Sequence, residues 1–151
     1  MLSVTISQVM AWRPCYSRES ILKLFAGRVS VTALDGLAQD NVTVADRIWF
    51  ALHVELIDER TLRLFAVWCA RQALALSDNP DPRSVAACDV AERYANGLAT
   101  GEELAAAGDA AWDAAWAAAR DAAWDAARAA AWDAMLAHLR LMLAEEENQA
   151  A

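Results

Sequence analysis

Residues 110–134 read AAWDAAWAAARDAAWDAARAAAWDA. Between positions 105 and 134 eighteen of thirty residues are alanine, the strongest intrinsic helix former, and no proline or glycine interrupts after Gly108. A long helix is the expectation. Its large side chains keep a step of four: Trp112, Trp116, Arg120, Trp124, Arg128, Trp132, Leu136 and Arg140. Four residues advance an α-helix by about 400°, so each large side chain sits roughly 40° round from the last. From Trp112 to Trp132 the stripe drifts by about 200°. A straight helix cannot turn all four rings toward one flat surface. Either different faces are covered at different levels, or some rings are exposed.

The alanines matter to packing as well, because small side chains let a second helix approach closely. Arg120 lies one turn from Trp116 and Trp124, and Arg128 one turn from Trp124 and Trp132. Such pairs can stack as cation–π contacts worth about 0.5–1 kcal/mol when exposed. Trp and Arg dominate interface hot spots. Trp112, Trp116, Arg120, Trp124, Arg128 and Trp132 are therefore the candidate partner-binding residues. The competing reading is an amphipathic core helix with an unusual repeat.

A membrane role does not fit this run. Asp113, Arg120, Asp121, Asp125, Arg128 and Asp133 are spread round the helix and along it, and no uncharged stretch of about eighteen residues exists. Nor is there one polar face on which to lie at a lipid surface.

The chain has 151 residues and a net charge of −8. That length suggests one helical domain over 1–148, with short helices and a core helix in 1–76, a further helix and the long helix in 82–148, and a frayed tail at 149–151. Acidity argues against direct nucleic-acid binding, which needs a basic patch to release counterions. It suits a basic protein partner or, as a minor alternative, imitation of DNA phosphates. Cys15, Cys69 and Cys88 are odd in number and form no C-x-x-C pair. Reduced thiols and a cytoplasmic location follow as expectations. The N-terminus lacks the basic and long apolar regions of a signal peptide.

In chain order, Thr5 with Gln8 reads as a capping box for a helix over 6–12, stopped by Pro14. Ser17 caps a helix over 18–26 with apolar face Ile21, Leu24 and Phe25, ended by Gly27. Ser30 starts a short helix through 37. Thr43 followed by Asp46 starts another carrying Ile48, Trp49 and Leu52. Asp58 caps a helix over 59–76, whose Leu62, Phe65, Trp68, Cys69, Ala73 and Leu76 mark it as the central core helix. Asp81 and Pro82 open a helix closing at Gly97. Thr100 with Glu103 opens the long one. Residues 29–34 alternate weakly but are too short to pair alone, so no strand is expected. The expected fold is all-α: an array of short antiparallel helices followed by one long Ala/Trp-rich C-terminal helix. Continuous from 101 to about 143, that helix would run roughly 60 Å, beyond a compact domain of this size. It would kink, project or pair with another chain.

No motif announces chemistry. His53 and His138 are far apart with no clustered cysteines, so no metal site is expected. The aspartates of the run read as solubilising charges rather than facing catalytic carboxylates. Asp89 and Glu92 should pair with Arg93 or Arg128. There is no glycine-rich phosphate loop, no G-x-S-x-G and no credible Cys–His dyad. The expectation is no catalytic residue, no cofactor and no enzyme.

LRLFAVWCARQAL at 62–74, NPDPRS at 79–84 and AERYANGLATGEELAAA at 91–107, followed by the Ala/Trp run, resemble a group of small alanine-rich helical proteins of phages, prophages and bacteria, some labelled putative immunity proteins. WRPC at 12–15 and LFAGRVSVTAL at 24–34 fit its phage members. The resemblance implies a helical protein of the host-cell cytoplasm that blocks a host protein, a defence component for a phage member, by binding it. The alternative is a structural homo-oligomer assembled through the long helix.

Overall fold

The computed structural model describes residues 2–118 and 125–149, with side chains described outside 112–130. Within those bounds the chain is predominantly helical, with eight helices and one small sheet. Packing divides it into two compact units: Met1–Asp58 with Ala129–Ala151, and Glu59–Arg128.

The first unit begins with a strand that the sequence reading excluded. β1 (Ser3–Thr5) pairs antiparallel with β2 (Ser30–Thr32), Val4 opposite Val31. The correction has a local cause. Both strands are the same triplet, Ser-Val-Thr, and in both the threonine caps a helix. Each short strand gains a partner because the other copy exists.

Thr5 caps α1 (Ile6–Ala11) in the expected capping box, its backbone N–H donating to Gln8 Oε1 at 2.9 Å. Thr32 caps α3 (Ala33–Leu37) in the same manner, with Asp35 in the third position. The helix expected from Ser30 therefore starts later, because residues 30–32 are committed to the sheet. Between these lies α2 (Arg18–Phe25), capped by Ser17 as expected and ended by Ala26 and Gly27, both in the left-handed region. Thr43 caps α4 (Val44–Ala51).

The core of this unit is made by Val4, Val9, Ile21, Phe25, Val31, Leu37, Ile48 and Ile57, all buried. Its other wall comes from the far end of the chain. α8 (Asp125–Gln149) contributes Leu136, Leu139 and Leu143, at spacings of three and four that put them on one helix face. The Arg140 guanidinium donates to the Leu37 carbonyl, an orphan acceptor at the C-terminus of α3.

The second unit is a helical stack in which α5 (Glu59–Leu74) packs on α6 (Pro82–Ala95) and α6 on α7 (Gly101–Ala118). Asp81 caps α6 with Pro82 in the first turn, as expected. At the other end Leu98 N–H reaches Arg93 O at 2.7 Å and Gly97 N–H reaches Tyr94 O at 3.0 Å, with Gly97 at φ +72°. This is a Schellman closure. Thr100 and Glu103 then form the expected capping box of α7.

α5 is not the central core helix. Phe65 is buried, but so are Thr61 and Val67, which the sequence reading had not placed inside, while Ala73 is exposed and Leu76, beyond the helix end, is 78% exposed. Most of the described core lies in the first unit. The ion pairs also differ from expectation. Asp89 and Glu92 both meet Arg71 on α5, because α5 is the helix that α6 packs against, whereas Arg93 lies nearest Glu103 at 3.9 Å; the expected pairing with Arg128 lies outside the described side chains.

The run expected as one long helix is described as α7 and α8. The residues that join them, 119–124, lie outside the described residues, so its continuity does too.

Substituting Leu139, fully buried, by alanine should destabilise the protein by about 2–5 kcal/mol. Leu141 is 62% exposed on the same helix, and its replacement by alanine should stay within about 0.5 kcal/mol. Urea unfolding of the two variants checks the contrast; equal effects would contradict the docking of α8 by this face.

Candidate functional site

Five of the six sequence-predicted site residues have side chains outside the described ones. Trp112 and Trp116 belong to α7 and Arg128 to α8, but their side chains lie outside the described residues; Arg120 and Trp124 lie outside them altogether. Trp132 alone is described, half-buried on α8.

What the structure brings together instead is a recess of about 360 Å³ in the first unit, walled by α1, α2, α3, α4 and the loop after α1. Its rim is aromatic. Trp12, the C-cap of α1, stacks on His53 with ring centroids 3.7 Å apart. Trp49 and Phe50 meet Trp12 edge-on at 6.3 and 5.9 Å. Trp49 and His53 are four residues apart near the end of α4, and their rings also touch edge-on. The indole N–H of Trp12 donates to Glu55 Oε1 at 3.3 Å. Trp49 remains 41% exposed.

The position of Phe50 depends on a glycine. A Cβ added at Gly36 would lie 2.1 Å from Phe50 Cδ1, so only a residue without a side chain lets the ring settle against α3.

The charged groups of the lining are largely spent on structure. Asp35 accepts from Thr32 N–H at 2.9 Å and Thr32 Oγ1 at 3.0 Å, and pairs with Arg28. Burial pushes its pKa up, but these hydrogen bonds and the Arg28 charge outweigh burial and hold it below the usual aspartate value. Arg47 donates from Nε to Val42 O at 2.9 Å and pairs with Asp40 at 3.1 Å. Asp46 Oδ2 accepts from Tyr16 OH at 2.8 Å and from Thr43 Oγ1 at 2.6 Å. That hydrogen bond is the main cause raising the Tyr16 pKa, with burial and the Asp46 charge adding to it.

Within the lining, Asp46 Oδ1 and the exposed Arg13 guanidinium are among the polar groups that take part in no hydrogen bond or ion pair. Arg13 follows α1 at φ +56°, the left-handed position more often taken by glycine at a helix end.

Cys15 is exposed at the recess, whereas Cys69 and Cys88 belong to the second unit, where burial raises both thiol pKa values. Burial lowers the pKa of His138, opposed by Glu145. Among the described residues no three His, Cys, Asp or Glu side chains converge as metal ligands, and no helix is long and apolar enough to cross a membrane.

Compared with protein-family models, curated proteins and solved structures, the chain matches none of them.

Sequence reasoning passed over the recess because its aromatics come from two helices whose meeting is a tertiary event. Two signals were present: the spacing Trp49-Phe50-x-x-His53, and the repeated Ser-Val-Thr triplet that brings α1 and α3 together.

Because the folded-state pKa of Asp35 is depressed, its contribution to stability is present above the unfolded aspartate pKa and is lost as pH falls through the folded value. Asp35→Asn should therefore flatten the acid limb of stability against pH below about 4. Urea midpoints measured between neutral and acid pH test this; an unchanged acid limb would refute it. Gly36→Ala should cost about 1–3 kcal/mol by displacing the Phe50 ring.

Proposed function

We propose that the chain acts without catalysis, as a protein-binding module. In its finer form the proposal is a phage- or prophage-encoded inhibitor of immunity type that blocks a host defence protein in the host cytoplasm. The observation that carries the binding reading is the recess of the first unit. It presents aromatic surface, while Asp35, Arg47 and Tyr16 are engaged in structural hydrogen bonds rather than left facing one another as an acid–base pair. Pockets of this kind, with Trp and Arg at the mouth, are where interfaces concentrate their energy.

The Ala/Trp run supports the same reading from sequence. A helix continuous through it would turn its rings progressively round the axis, offering Trp112, Trp116, Arg120, Trp124, Arg128 and Trp132 to more than one surface. A second reading, self-assembly through the same run, draws on the same residues.

The test is a tagged pull-down from host-cell lysate with mass spectrometry, comparing wild type with Trp49→Glu and with Trp116→Glu/Trp124→Glu. One stoichiometric host protein, present with wild type and lost with a folded variant, is expected. Identical recovery with all three chains would overturn the assignment of these tryptophans.

A further inference from the structure

Of the chain's four asparagines, Asn96 is the one that precedes a glycine. Asn79 precedes proline, whose nitrogen carries no hydrogen, Asn41 a β-branched valine, and Asn148 a glutamine. Asparagine is thermally labile because the next backbone nitrogen can close a five-membered ring on its side-chain carbon. Glycine crowds that nitrogen least. Asn96 and Gly97 are both exposed, so water reaches them.

Folding holds that ring open. The Gly97 N–H, which carries the attacking atom, donates to Tyr94 O at 3.0 Å. The Asn96 amide is fixed at both of its polar atoms: Nδ2 donates to Glu92 O at 3.0 Å, and Oδ1 accepts from Arg60 Nη2 at 2.7 Å. Ring closure needs Gly97 N to eclipse Asn96 Cβ across the Cα–C bond. At ψ 8° it eclipses Asn96's own nitrogen instead, about a third of a turn away. A guanidinium on Oδ1 stabilises charge developing there only once the nitrogen reaches the carbon. In the closed turn the same hydrogen bond keeps the two apart, and it ties the first turn of α5 to the end of α6.

We infer that Asn96–Gly97 is a spontaneous modification site, kept latent by the closure of α6 and by Arg60. When the turn opens, Gly97 N gives up its proton and attacks Asn96 Cγ. The N–Cγ bond forms, the Cγ–Nδ2 bond breaks, and Nδ2 leaves as ammonia with that proton. Water then opens the succinimide to aspartate or isoaspartate. Either product adds one negative charge to the −8 of the chain, beside Arg60. Isoaspartate also puts an extra methylene into the backbone, so the Gly97–Tyr94 and Leu98–Arg93 hydrogen bonds lose their register. The modification is a lasting record of opening between α6 and α7. It goes beyond the proposed function and does not depend on it.

The experiment incubates the full-length protein at mildly alkaline pH, with and without urea. Peptide mapping by mass spectrometry follows residue 96, and ion exchange follows the added charge. Arg60→Ala is run beside wild type, with circular dichroism to confirm its fold. In urea, Asn96 should convert ahead of Asn41 and Asn148, and at least about tenfold faster than in the folded wild type, because the hydrogen bonds of the turn are then broken. Folded Arg60→Ala should convert about two- to tenfold faster than folded wild type, the weight of one hydrogen bond in the opening equilibrium. The two chains should convert equally in urea.

Equal rates for folded and unfolded wild type, a folded Arg60→Ala chain that converts no faster than wild type, or conversion in urea led by Asn41 or Asn148 would each overturn the inference. The comparison of folded with unfolded wild type decides the matter without the variant, should Arg60→Ala fail to fold.

Discussion

Val4 and Val31 face each other across the two-stranded pairing, and the architecture of the first unit follows from that contact. Both are buried, in strands of only three residues. A three-residue strand has little stability alone. Here each is locked at one end by a capping box, which fixes where the strand stops and the helix begins. The pairing therefore sets the start of α1 and of α3 together. Trp12 at the end of α1 and Gly36 within α3 both line the same recess as a consequence.

α3 is five residues long and could not persist on its own, since isolated short helices are unstable in water. It is held at both ends. Thr32 and Asp35 satisfy its first turn, and Arg140 from α8 takes a carbonyl at its last. The leucines beside Arg140 supply the burial that keeps this tie in place. α3 thus serves both ends of the unit: the Leu37 carbonyl accepts from Arg140 of α8, while Gly36, its neighbour, seats Phe50. Any change in how α8 docks is thus one residue from the aromatic rim.

The helices were largely legible. Thr5, Ser17, Thr43, Asp81 and Thr100 each start a helix where the capping rules place one, because a cap is a contact among residues two or three apart. What failed were statements about neighbours. Asp89 and Glu92 chose Arg71, Leu76 stayed in solvent, and residues 30–32 found a strand partner 27 positions away. The aromatic rim was illegible for the same reason: Trp12 and His53 are 41 positions apart, and nothing local in either says that their rings stack.

Residue order alone was enough to establish the helical class, the helix starts, and an Ala/Trp run whose step of four cannot face one flat surface. These rest on short-range geometry: propensity, capping and the 3.6-residue turn act within a few residues. Packing alone settled which side chains are buried, that the far end of the chain belongs to the first unit, and that Trp12, Trp49 and Phe50 meet at a recess with His53 stacked on Trp12. Burial depends on what a distant segment brings to a face, and periodicity marks a face without naming its partner.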